Sequence, residues 1–128
     1  MKLTIYKTDG IYTPKGKANP SQRFDFIREK LAYGYEIFEL YDGKDHSTIK
    51  CKDVNAIMLE FPNNKEVKHK LELRTEDFNK TVEYDNDYAY SSQKERIAKA
   101  RDIGWSFVIL DGHNCKLAVR TELIKGEY

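Results

Sequence analysis

The chain has 128 residues, 40% of them hydrophobic and 34% charged, with a formal net charge of +1. That length suits one domain, or two small halves sharing one core, and the composition allows an adequate but not large core. A charge so near zero supplies no overall field to select nucleic acid or an acidic membrane surface, and 16 Lys against 6 Arg argue further against nucleic acid, since Arg is the usual bidentate partner of phosphates and bases.

The start, Met1 to Gly10, reaches a turn before any apolar run builds, so no secretory leader is expected. Leu3 and Ile5 alternate with polar residues, Asp9-Gly10 turns the chain and Ile11 to Thr13 returns, which reads as a hairpin. Pro14 to Pro20 is a loop by composition. Asn19 can cap a helix and Pro20 suits its first position. Phe24, Ile27 and Leu31 then form a buried stripe, and Gly34 closes the helix. Tyr35 to Tyr41 reads as a strand with apolar residues on both faces. Asp42-Gly43 suits a tight hairpin turn, and Ile49 to Lys52 returns.

Ala56 to Phe61 is the most apolar run and is short enough for a buried strand. Pro62-Asn63-Asn64 is the candidate boundary between halves 1–62 and 65–128. Val67, His69, Leu71 and Leu73 alternate with charged residues, a strand with one wet face. Phe78 to Tyr84 is a weaker strand. Ser92 and Glu95 have capping-box spacing, and Ile97, Ala100 and Ile103 recur at helical spacing. Gly104 stands where a left-handed cap is wanted. Trp105 to Leu110, Asp111-Gly112 and Lys116 to Arg120 then read as strand, turn and strand.

Helix, glycine, aromatic, strand and Asp-Gly occur twice in the same order. The pattern reads as an internal duplication of a ββαββ unit, giving an α+β protein of antiparallel sheet and two helices. Gly34 should match Gly104, both at positive φ, and Tyr35 should match Trp105. Trp105 and Phe107 are expected in the core, where Trp105→Ala would cost about 3–5 kcal/mol.

No nucleotide-binding glycine loop, zinc-peptidase helix or nucleophile elbow is present, so neither catalytic residues nor a cofactor are assigned. Cys51 and Cys115 follow no metal or redox spacing. Two reduced thiols in a cytosolic protein are expected, with one bridge as the alternative if the halves pack together. His46 and His113 follow the two Asp-Gly turns, and with Asp42, Asp111 and Cys115 a metal site could be drawn. Nothing in the spacing forces those ligands together, and no metal is assigned. Asp85 and Asp87 resemble the start of a calcium loop, but Ala89, Tyr90 and Arg96 fill its later positions.

The most distinctive polar stretch is Glu76 to Ser92, whose five acids and one lysine give a local charge of −4. Its candidate binding residues are Tyr84, Asp85, Asp87, Tyr88 and Tyr90: the tyrosines offer contact area and the acids steer a basic partner. The competing reading packs those tyrosines on their own sheet and turns the acids toward the next helix N-terminus. Lys2, Lys7, Lys15 and Lys17 make the first twenty residues basic, either as a phosphate-contacting surface or as edge protection. Lys50, Lys52, Lys116 and Arg120 lie on the return strands and are candidates to face an anion.

In type, this small, charged, tyrosine-rich chain resembles phage and mobile-element accessory proteins, including inhibitors of host defence. Its rich Lys, Ile, Asn and Tyr usage suits a low-GC bacterium or its phages. The resemblance rests on no family motif and brings no site with it. The expected function is a non-enzymatic binding protein acting in the cytoplasm on a macromolecular partner, most simply a protein. The alternatives are a small-ligand or nucleotide-sequestering protein, with a pocket at the junction of the halves or in a homodimer, and a small hydrolase using unrecognised carboxylates. No membrane partner is expected, because no apolar stretch has the length of a span.

Overall fold

The computed structural model describes residues 1–62 and 69–127, with Asp42 and Glu127 described by backbone alone. The first half runs β1 (Lys2–Lys7), β2 (Gly10–Tyr12), α1 (Pro20–Ala32), β3 (Ile37–Asp42), β4 (Asp45–Lys50), a 3₁₀ turn (Cys51–Asp53) and β5 (Val54–Glu60). The second runs β6 (His69–Thr75), β7 (Asn79–Tyr84), α2 (Asp87–Ile103), β8 (Phe107–Asp111), β9 (Cys115–Arg120), a 3₁₀ turn (Thr121–Leu123) and β10 (Ile124–Glu127). Strands are antiparallel throughout, and the class is α+β. Asn63, Asn64 and Val67 lie outside the described residues.

The halves share one pairing scheme. β1 pairs with β2 and β5, and β3 with β4; β6 pairs with β7 and β10, and β8 with β9. From the helix exits onward the landmarks recur at one spacing of 70. Gly34 and Gly104 both have positive φ. The Tyr35 N–H donates to Lys30 O and the Trp105 N–H to Ala100 O, while Cys51 N–H donates to Glu36 O and Thr121 N–H to Ser106 O. The repeat is one of topology and register, and its unit is longer than the sequence pattern suggests, with a 3₁₀ turn and a closing strand after the second hairpin.

β5 also pairs with β9, so the halves meet in one five-stranded sheet ordered β2-β1-β5-β9-β8; β10-β6-β7 and β3-β4 stand apart from it. One face of the sheet (Leu3, Ile5, Ile57, Leu59, Ala118) packs on Phe24, Ile27 and Leu31 of α1 and on Phe38, Leu40 and Ile49. The other (Ala56, Met58, Val108, Leu110, Leu117, Val119) packs on Leu71, Leu73, Val82, Tyr84 and the α2 residues Ile97 and Ala100. A strand covered on both sides needs apolar residues at successive positions, which is why β5 is the most apolar run.

Several local expectations change. α2 begins five residues before Ser92: Asn86 Oδ1 accepts the Ala89 N–H at 2.8 Å and caps it. The capping-box spacing is present, but Asn86 provides an earlier start that α2 uses. β3 begins at Ile37 because Tyr35 still closes the helix. Gly43 has positive φ as expected, whereas Gly112 does not. The β8–β9 loop is laid on β7, where His113 N–H donates to Glu83 O and the Asn114 side chain bonds both Glu83 N–H and Thr81 O. A Cβ on Gly112 would run into Val82 Cγ1, so that glycine serves close approach rather than a turn.

Candidate binding surface

Both helices end in the same device. A left-handed glycine bends the chain out of the helix, and the residue after it gives its N–H back to the last turn. The side chain that follows is thrown outward, not into the core. Tyr35 is exposed, and Trp105 retains 46% of its free surface. This corrects the expectation of a buried Trp105; Phe107 is half-buried. Tyr33, Ile37 and Ile103 are exposed beside them.

These exits border three adjoining recesses. The first, about 440 Å³, is lined by Gly34, Tyr35, Glu36, Ile37, Lys50 and Lys52. Five of those six positions recur 70 residues later, as Gly104, Trp105, Ser106, Arg120 and Glu122, in a recess of about 420 Å³. Between them lies a recess of about 320 Å³, walled by Arg28, Leu31 and Gly34 from one half and Trp105, Ser106 and Phe107 from the other. Gly34 is common to the first and middle recesses, and Trp105 and Ser106 to the middle and last, so the three form one track across the junction.

The cations along the track are not equivalent. Lys30 Nζ lies 4.0 Å from the centre of the Tyr35 ring. The Arg120 guanidinium stacks 4.7 Å from the Phe107 ring centre and donates to Cys51 O at 3.2 Å and Val54 O at 2.8 Å. It therefore ties β9 to the start of β5. Lys116 sits 3.9 Å from Asp111, at the far end of β9, so the four return-strand cations do not converge. Lys15 and Lys17 line a separate recess, and Arg23 holds that loop through Lys15 O at 3.0 Å and Tyr41 O at 2.7 Å.

The acidic tyrosine stretch divides. Tyr84 is in the core and Tyr90 is half-buried against it, their ring centres 6.4 Å apart. The Tyr84 hydroxyl has no hydrogen-bond partner among the described residues, and burial raises its pKa well above the ordinary value. Asp85, Asp87 and Tyr88 are exposed at the start of α2. Asp85 lies 3.5 Å from His113 and Asp87 lies 2.9 Å from His69, so the acids meet the histidines of neighbouring elements.

Among the described residues no three His, Cys, Asp or Glu side chains are close enough to hold a metal ion. His46 lies 3.4 Å from Glu39 and stacks on Tyr41, and His113 meets Asp85, so the two histidines have separate partners. Cys51 and Cys115 are both free and buried. Burial pushes the Cys115 thiol up to about 12 and raises that of Cys51, so neither offers a thiolate at neutral pH. No helix among the described residues is long and apolar enough to cross a membrane.

The chain matches no protein-family model, no curated protein and no solved structure.

Proposed function

We propose that the protein is a small non-enzymatic binding protein that occupies the surface of a macromolecular partner, most simply a protein, in the manner of phage or mobile-element accessory proteins such as inhibitors of host defence. The supporting observation is the exposure of Tyr33, Tyr35, Ile37, Ile103 and Trp105 where the two helices end, with Tyr35, Ile37 and Trp105 bordering recesses that share Gly34 and Trp105. Contiguous apolar exposure rimmed by charge marks interaction surfaces, and Trp and Tyr are the usual anchors of binding energy. Asp85, Asp87 and Tyr88 form a second, acidic surface at the other end of α2. For a helix of 17 residues that is about 25 Å away. The buried thiols are compatible with a reducing cytoplasm.

The test is affinity capture from a native lysate with wild-type protein and with the Tyr35→Ala/Trp105→Ala pair. Wild type should retain a stoichiometric partner. The double variant should lose it, at a cost of more than about 2 kcal/mol of binding if these are hot spots, while its circular dichroism and Tm stay near wild type. Undiminished capture by the folded variant moves the contact surface elsewhere, with Tyr88→Ala next. The recess volumes favour a second reading, a sequestered small ligand or nucleotide, which native mass spectrometry would reveal as added mass on the purified chain.

A further inference from the structure

We infer that β4 and β10 join this chain to further copies of itself, head to tail, by the pairing that β9 and β5 make between the halves. The repeat gives each half the same two joining edges: β5 and β4 in the first, β10 and β9 in the second. The chain uses β5 against β9 and leaves β4 paired only with β3 and β10 only with β6. It cannot pair the remaining two with each other. Ile49 of β4 packs in the core on one face of the central sheet, and Ile124 of β10 packs in the core on the other. A second copy supplies what the first lacks. β4 of one copy against β10 of the next gives the order β3-β4-β10-β6-β7, which repeats β8-β9-β5-β1-β2 of the central sheet strand for strand.

The edges correspond in detail. β5 skips Asn55 against β1, between Val54↔Lys7 and Ala56↔Tyr6, and β10 skips Lys125 against β6 at the matching place. Carried back and forward along the repeat, the internal pairs Ala56↔Val119 and Ile57↔Ala118 become Gly126↔Ile49 and Glu127↔Thr48 between copies. Arg120 crosses the internal join to Cys51 O and Val54 O. Its counterpart Lys50 has no hydrogen bond or ion pair among the described residues, and the join sets it before Thr121 O and Ile124 O of the next copy. Ile37 holds the place of Phe107, which packs against the first half's core; in the single chain Ile37 is exposed.

The other sheet edges are closed. Arg23 donates to Tyr41 O on β3, His113 N–H to Glu83 O on β7 and Arg96 to Ile109 O on β8, while β2 has only three residues. Among the described residues no such bond reaches β4 or β10. Unpaired N–H and C=O groups along an edge are a template for another strand. Because β4 and β10 lie beyond opposite faces of the central sheet, the contact is heterologous and repeats from copy to copy. Thr48 and Glu39 stand where the internal join has Ala118 and Ile109, so the contact between copies is the weaker one and forms as concentration rises.

The experiment is sedimentation velocity on the intact chain at rising concentration, with one variant on each side of the seam. Thr48→Arg obstructs the β4 side, where Thr48 is exposed. Gly126→Arg obstructs the β10 side, at the counterpart of Ala56, which faces the other half. Both should keep a Tm near wild type. Wild type should sediment faster as concentration rises and pass beyond a dimer, whereas each variant alone should stay monomeric. Mixed in equal amounts, the two variants have one free β4 and one free β10 between them, so they should form a pair and stop there. Lys50→Gln should move wild-type association to higher concentration, and it decides the matter by itself if either arginine variant loses Tm. A wild type that stays monomeric or stops at a dimer overturns the inference. So does a folded arginine variant that associates as wild type does, a mixture that stays monomeric or grows past a pair, or a Lys50→Gln chain with undiminished association.

Discussion

Gly104 ends α2 at φ 82° with open space where a Cβ would lie, whereas Gly112 has ordinary φ and no room for one. The two should respond to substitution by different rules. At Gly104 the cost is conformational: valine should lose about 1–3 kcal/mol, and asparagine, which tolerates the left-handed region, less. At Gly112 the cost is steric: alanine should already lose about 1–3 kcal/mol by overpacking Val82, with asparagine no better. Urea denaturation decides it, and asparagine rescuing Gly112 but not Gly104 would reverse the assignment. Cys115 carries a second residue-scale prediction. Its thiol is pushed up by burial from 9.0 to about 12. Between those values the unfolded chain loses a proton that the folded chain keeps, so stability is full below pH 9 and falls as pH rises toward 12. The slope approaches about 1.4 kcal/mol per pH unit from this group, with Cys51 and Tyr84, both raised by burial, acting in the same direction. Cys115→Ala should be less stable at neutral pH but flatter above pH 9; an unchanged slope would remove Cys115 from the account.

Arg120 is where one element holds another. Its fork leaves β9, crosses to the carbonyls of Cys51 and Val54, and lies on the Phe107 ring. Arg120→Ala should cost about 1.5–3 kcal/mol, the range for hydrogen bonds to a charged group, and Arg120→Lys nearly as much, since an ammonium cannot reproduce the planar fork. A lysine variant with the wild-type Tm would mean that these bonds contribute little. The sequence marks Arg120 only as a candidate to face an anion; the tie itself is not legible there, because its partners are backbone atoms far along the chain. What the sequence does show at this scale is local: the Asn19 cap with Pro20, the Phe24–Ile27–Leu31 stripe and the glycine stops all depend on neighbours a few residues away. The binding face is harder to read. An aromatic following a helix-ending glycine looks like the head of a buried strand, and only the Tyr35 and Trp105 N–H bonds back into their helices turn the rings outward. Tyr84 misleads in the opposite sense: an acidic setting conceals a period-two position facing the core. The twofold occurrence of Gly-aromatic was the usable signal.

At the scale of the whole molecule, the repeat suggests two halves that could stand alone, and the pairing of β5 with β9 argues that they cannot. Ala56 and Met58, from the first half, pack in the core of the second. Ala118, from the second, packs in the core of the first. Separation would uncover one face of β5, with Met58 and the partly buried Tyr6, and take from β9 its lateral partner and the cover over Ala118, Phe107 and Ile109. A large apolar side chain is worth about 1.5–3 kcal/mol when fully buried, so the loss is comparable with the roughly 5–15 kcal/mol that holds a whole domain together. Fragments 1–62 and 65–128 made separately should therefore show no cooperative unfolding transition and little dispersion in their amide spectra. Mixed in equal amounts, they should regain both, with a midpoint that rises with concentration because the missing contact has become bimolecular. A first fragment that unfolds cooperatively by itself, with wild-type shifts for Phe24 and Ile27, would show that β9 is an accessory to that core rather than part of it.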